Sequence, residues 1–212
     1  MGTRRGLERR LGDLAAFDDP RLDLEQYSTP ADVAAHILHD ADLRGDLEGT
    51  VVDLGCGTGV LAIGAALRSP ARVIGVERDP GALATARENE REAAPPVPVS
   101  WLVGDVPDLP LCPDDAPGAP GNEVTVVMNP PFGAQNGNRG ADRAFLAAAS
   151  DLASVSYSIH NAGSKAFVDS FVADAGGEVT HAFEARLDLD RQFAFHAADS
   201  EEITVEVFRI VW

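Results

Sequence analysis

An α/β fold, with helices on both faces of a mostly parallel sheet, is predicted by three observations. Short β-branched strands alternate with helical segments from Val51 onward, the pattern of βαβ units. Asp53-Leu54-Gly55-Cys56-Gly57-Thr58-Gly59 is a glycine-rich turn between a strand and a helix. Asn129-Pro130-Pro131-Phe132 closes another apolar strand, Val124-Thr125-Val126-Val127-Met128. Ligands of open α/β sheets bind beyond the carboxyl ends of the strands. Both turns are therefore expected at one site.

The elements follow in order. Residues 3–16 read as a short amphipathic helix, with Leu7, Leu11 and Leu14 on one side. Arg4, Arg5, Arg9 and Arg10 form its polar face, which suits either solvent or a nucleic-acid backbone. Thr29-Pro30-Ala31-Asp32 predicts a helix start, with Thr29 as cap, Pro30 at the first position and Asp32 reaching back. That helix runs to about Arg44 and buries Val33, Ile37 and Leu38. Strand and helix then alternate: Val51–Leu54 and Val60–Leu67, then Arg72–Val76 and Pro80–Glu92. Val97–Val103 carries Pro98, which places it at a sheet edge. Gly104–Asn122 holds five prolines among acidic residues and reads as a solvated loop. Glu123–Met128 with Ala141–Ala149, and Ala153–Ile159 with Gly163–Ala173, continue the pattern. Glu178–Leu187 and Ile203–Val211 look like an antiparallel pair. The 212 residues suit a single domain, with residues 1–45 as an N-terminal helical segment that contributes to the cofactor site.

Composition narrows the function classes. No apolar run reaches the roughly 20 residues that span a bilayer, and no secretory signal is seen, so a cytoplasmic location is expected. Two cysteines, Cys56 and Cys112, give neither a disulfide framework nor a closed zinc site. The net charge is −17, and Lys165 is the only lysine. Such a surface suits a very salty cytoplasm, where repulsion is screened within about 3 Å at 1 M salt. A halophilic source is expected, and the acidity then says little about the ligand.

Glycines 55, 57 and 59 let the backbone turn sharply and approach a ligand. A dinucleotide fingerprint would need glycine at position 60, which is Val60, so a nicotinamide cofactor is disfavoured. Glu77 ends the second strand, where a carboxylate can accept from both ribose hydroxyls. Asp105 follows the third strand and could accept from an adenine amine. Asp53 is expected to orient backbone N–H groups beneath the turn. Together these features point to S-adenosylmethionine.

The second turn suits a planar amine. An Asn129 side-chain oxygen and the Pro130 carbonyl could accept both amino hydrogens and aim the nitrogen lone pair at a methyl donor. Pro131 would stiffen the turn, and Phe132 could stack on the ring. Catalysis would be positioning and charge complementarity, without a metal. A duplex base cannot reach such a pocket, so the target must be flipped or unpaired.

Four segments carry a family resemblance: Leu24-Glu25-Gln26-Tyr27-Ser28-Thr29-Pro30, the Asp53–Leu61 turn, Met128-Asn129-Pro130-Pro131-Phe132-Gly133 and Tyr157-Ser158-Ile159-His160. In that order the chain resembles the archaeal and eukaryotic small-subunit ribosomal RNA adenine-N6 methyltransferases, the methyltransferase-like protein 5 family, and looks like a haloarchaeal member. The resemblance implies a class I methyltransferase fold of seven strands with the last antiparallel. It implies that Gln26, Thr29, Gly55, Thr58, Val60, Glu77, Asp105 and Asn129 face S-adenosylmethionine. The family commonly has Asp where Glu77 stands. It also implies small-subunit ribosomal RNA as substrate, and a small zinc-containing methyltransferase activator that could add to the Val97–Val103 edge. His160 and the Phe193, Phe195, His196 cluster would lie near the acceptor pocket, and Arg139, Arg143 and Lys165 could meet phosphates. Protein glutamine-N5 methylation, RNA guanine-N2 methylation and a non-catalytic assembly role remain as alternatives.

Overall fold

The computed structural model describes residues 2–109, 111, 123–131, 140–190 and 200–212. Helix α1 (Arg4–Gly12) is capped by the Thr3 hydroxyl, which accepts from the Gly6 N–H. A single 3₁₀ turn, Leu22–Leu24, precedes α2 (Ala31–Arg44). Then come β1 (Thr50–Leu54), α3 (Val60–Ala66), β2 (Arg72–Glu77), α4 (Pro80–Ala93), β3 (Val99–Val103), β4 (Val124–Met128), α5 (Ala141–Leu152), β5 (Val155–Asn161), α6 (Lys165–Asp174), β6 (Glu178–Asp190) and β7 (Ser200–Val211).

The sheet order is β3-β2-β1-β4-β5-β7-β6. β7 runs antiparallel to both of its neighbours, and the pairings among β1 to β5 are parallel. Every residue of β1 and of β4 is buried, as expected of central strands covered on both faces. α1, α2 and part of α3 pack on one face with Val51, Val127 and Tyr157. α5 and α6 cover the other with Val52, Val126 and Phe208.

The order reverses between β1 and β4, so the topological switch point falls there. Register makes this concrete. Leu54 pairs with Met128 on one side and with Val76 on the other. Gly55, Asn129 and Glu77, the next residues of three adjacent strands, are therefore side by side.

Three expectations are corrected. Pro30, not Thr29, occupies the cap of α2, and no side chain caps that helix. The Thr29 hydroxyl is bonded elsewhere, as described below. β3 is an edge strand, but it begins after Pro98, so the proline precedes the ladder and does not interrupt it. The β6–β7 hairpin exceeds its expected length. Its pairing continues to Asp190↔Ser200, past Val205, the last β7 partner of β5. Most of the Pro-rich loop, including Cys112, lies outside the described residues.

Candidate active site

A cavity of about 320 Å³ opens at the switch point, within the usual range of small-molecule sites. All eight residues expected to face the cofactor line it: Gln26, Thr29, Gly55, Thr58, Val60, Glu77, Asp105 and Asn129. Pro131 lines it too, while Pro130 is buried behind. Phe132 lies outside the described residues, as do Arg139, Phe193, Phe195 and His196.

The glycine turn shapes one wall. Gly55 and Gly57 have φ of 67° and 53°, a region open to glycine at little cost. A Cβ on Gly57 would come within 2.8 Å of the Phe17 ring, and one on Gly55 within 3.0 Å of Phe145. Both aromatic rings are contributed from outside the turn. Glu77 holds the turn from the side: Oε2 accepts from the Gly57 N–H (3.0 Å) and Oε1 from the Asp79 N–H (2.9 Å). Each oxygen keeps lone-pair capacity for a further donor. Burial raises the Glu77 pKa above the usual carboxylate range. Asp53 sits beneath, accepting from the Ala62 N–H at 2.8 Å, and burial pushes its pKa up to about 8. Cys56 is buried, and burial raises its thiol pKa well above normal.

The segment between α1 and α2 straps the cavity. It contributes Phe17, Tyr27 and Ser28 to the lining, none of which was among the expected cofactor contacts. Three buried or half-buried side chains pin it. Asn89 of α4, fully buried, accepts from the Ala15 N–H and donates to the carbonyls of Ala15 and Thr58. Gln26 Nε2 donates to Asp79 Oδ2 at 2.7 Å, while Gln26 Oε1 accepts from the Arg21 N–H. The Gln26 amide, aided by the Gly81 N–H, holds the Asp79 carboxyl below its ordinary pKa. At the far end Asn129 Nδ2 donates to Thr29 Oγ1 at 3.1 Å.

This last bond decides the chemistry of Asn129. Its Oδ1 is buried and has no hydrogen-bond partner among the described residues. A buried unsatisfied acceptor costs about 1–3 kcal/mol, and a donor placed against it would recover that. Asp105 stands at the rim, half exposed, with Arg78 at 4.0 Å.

Other expected contacts fall away from the cavity. His160 lies within β5, buried, sharing a 2.7 Å hydrogen bond with Ser158 and packing edge-on against Phe208. Burial lowers its pKa to about 4. Lys165 pairs with Asp169, and Arg143 lies over the rings of Phe167 and Phe171. Among the described residues there is no cluster that could hold a metal ion, and no helix is long and apolar enough to cross a membrane.

A sheet of this order, with its glycine turn and acidic strand end around one cavity, defines an S-adenosylmethionine-dependent methyltransferase of class I. Residues 28–155 match the family model Methyltransferase small domain. The chain is 37% identical to an uncharacterized protein of Methanocaldococcus jannaschii, over 99% of this chain and 94% of that one. It is 34% identical to the Drosophila melanogaster rRNA N(6)-adenosine-methyltransferase Mettl5, over 97% and 94%. The crystal structure of a candidate RNA methyltransferase from Pyrococcus horikoshii superposes with a TM-score of 0.84 at 36% identity, covering 100% of this chain and 98% of that one. The chain belongs to the Mettl5 family of methyltransferases.

Proposed function

We infer that this protein methylates N6 of an adenosine in small-subunit ribosomal RNA, using S-adenosylmethionine. The observation that carries the reading is the buried Oδ1 of Asn129, without a hydrogen-bond partner among the described residues, beside the cavity at the end of β4. S-adenosylmethionine supplies an electrophilic methyl on a sulfonium. Glu77 would accept from the ribose hydroxyls with the lone pairs its backbone donors leave open. Gly55, Thr58 and Val60 would line its path, with Gln26 and Thr29 above and Asp105 at the adenine end. The absence of a side chain at Gly57 lets Phe17 pack directly on the turn, where a Cβ would lie 2.8 Å from its ring, and both residues line the cavity.

The acceptor amine is a poor nucleophile, because its lone pair is delocalised into the ring. Asn129 Oδ1 and the Pro130 carbonyl would accept its two hydrogens, drawing the lone pair out of conjugation. Thr29 positions the amide: by accepting from Nδ2 it leaves Oδ1 for the substrate. Pro131 stiffens the turn, and Phe132 would stack the base. The position of β3 at the sheet edge among the described residues, with Val103 exposed, supports the further reading that a small zinc-containing activator adds a strand there.

The test is nucleoside mass spectrometry of small-subunit ribosomal RNA incubated with enzyme and S-adenosylmethionine. The expected product is N6-methyladenosine with the wild-type protein, falling by about 100- to 1,000-fold in rate with Asn129→Ala. N2-methylguanosine, or label in protein instead of RNA, would refute the reading.

A further inference from the structure

Helix α1 carries four arginines against one glutamate, a local charge of +3 in a chain of −17. Its arginines do different things. Arg10 donates to the Ala93 carbonyl at the end of α4, so it is structural. Arg4, Arg5 and Arg9 have no hydrogen bond or ion pair among the described residues. Most other described arginines are engaged, as in Arg21–Asp23, Arg44–Asp40, Arg91–Glu88 and Arg209–Asp46. With twice as many acids as bases available, unpaired arginines gathered on one helix are the exception.

The helix is also held rigidly. Leu7 and Leu11 are buried, Arg68 donates to the Gly2 carbonyl and Arg10 ties the other end. Arg5, Glu8, Arg9 and Gly12 form one wall of a shallow groove whose other wall is Ala31 and Asp32. Neither acid lies within ion-pair distance of either arginine among the described residues. The groove begins two residues from Thr29, the hydrogen-bond partner of Asn129.

We propose that this groove takes the phosphate backbone of the RNA strand flanking the target adenosine, with Arg5 and Arg9 as its contacts and Arg4 at its margin. The inference rests on the RNA-methylating reading above. Guanidinium groups suit phosphate because their donors match two oxygens at once. RNA rather than an acidic protein is favoured because Ala31, on the groove wall, lies two residues along the chain from Thr29, which bonds Asn129 of the acceptor turn.

The experiment compares the full-length wild type with Arg5→Gln/Arg9→Gln, binding a labelled small-subunit ribosomal RNA fragment across a salt series. Affinity for S-adenosylhomocysteine serves as the folding control, and Arg72→Gln/Arg87→Gln as the charge control. The groove variant is expected to lose RNA affinity on the order of ten-fold at low salt, with the slope of log affinity against log salt shallower by about 2. Its KM for RNA should rise with kcat unchanged. Undiminished RNA binding, an equal loss in the charge control, or tighter competition by polyglutamate than by RNA would overturn the groove while leaving the RNA reading intact. A wild type that binds S-adenosylhomocysteine but no RNA would remove the parent reading, and the groove with it.

Discussion

At the residue scale the site depends on which way one amide faces. Asn129 and Thr29 meet across 100 residues of chain, and the hydroxyl that a helix-start pattern assigns to capping is recruited instead by the acceptor turn. No local signal could show that. Thr29→Val should therefore lower kcat, by up to about a hundredfold, whereas Thr29→Ser should keep most of it. Equal losses in both variants would deny the positioning role. His160 makes a second, separate prediction. Burial holds its pKa at about 4 in the folded chain, against about 6.5 when unfolded. Between those values the unfolded state binds more protons, so stability rises with pH across the window and is lost on acidification. Asp53, raised to about 8 by burial, acts in the opposite sense as pH rises. The difference between wild type and His160→Gln isolates the histidine: denaturant midpoints should fall more steeply toward acid pH in the wild type. Parallel curves would contradict this.

At the scale of elements, the strands and the two turns were legible because their signals are local. β-branched runs bounded by Gly, Pro and Asn mark β1, β2 and β4, and every expected cofactor contact lies at the end of one of these strands or after it, after β3, or on the strap. What sequence could not show is what crosses the chain. Phe17 on Gly57, Phe145 against Gly55, and Asn89 holding both the strap and the glycine turn are contacts between distant segments. The β6–β7 hairpin runs past its expected bounds for a related reason: the added residues, 188–190 and 200–202, are mostly acidic or polar in sequence and carry no apolar strand signal. Gly57→Ala tests the strap and turn together. The left-handed backbone costs an alanine roughly 1–2 kcal/mol, and the methyl meets Phe17. Calorimetric titration should show affinity for S-adenosylhomocysteine falling about ten-fold or more. Unchanged affinity would mean that ring and turn do not shape the cofactor site.

At the scale of the whole molecule, charge and topology act separately. A net charge of −17 over 212 residues opposes compaction through self-repulsion, and salt screens it. The thermal midpoint should rise with potassium chloride well beyond physiological strength, and a midpoint indifferent to salt would leave the acidity without this explanation. Topology sets the site: because the strand order reverses between β1 and β4, Gly55, Glu77 and Asn129 end up adjacent although they are far apart in sequence. On the proposed reading, methyl donor and acceptor amine would be held over neighbouring strand ends. The most direct test is the affinity of an adenosine tethered through N6 to the sulfur position of a cofactor analogue. This adduct should bind the wild type far more tightly than S-adenosylhomocysteine, and Asn129→Ala should abolish the gain without weakening S-adenosylhomocysteine itself. An adduct that binds no tighter, or a gain that survives Asn129→Ala, would contradict the account.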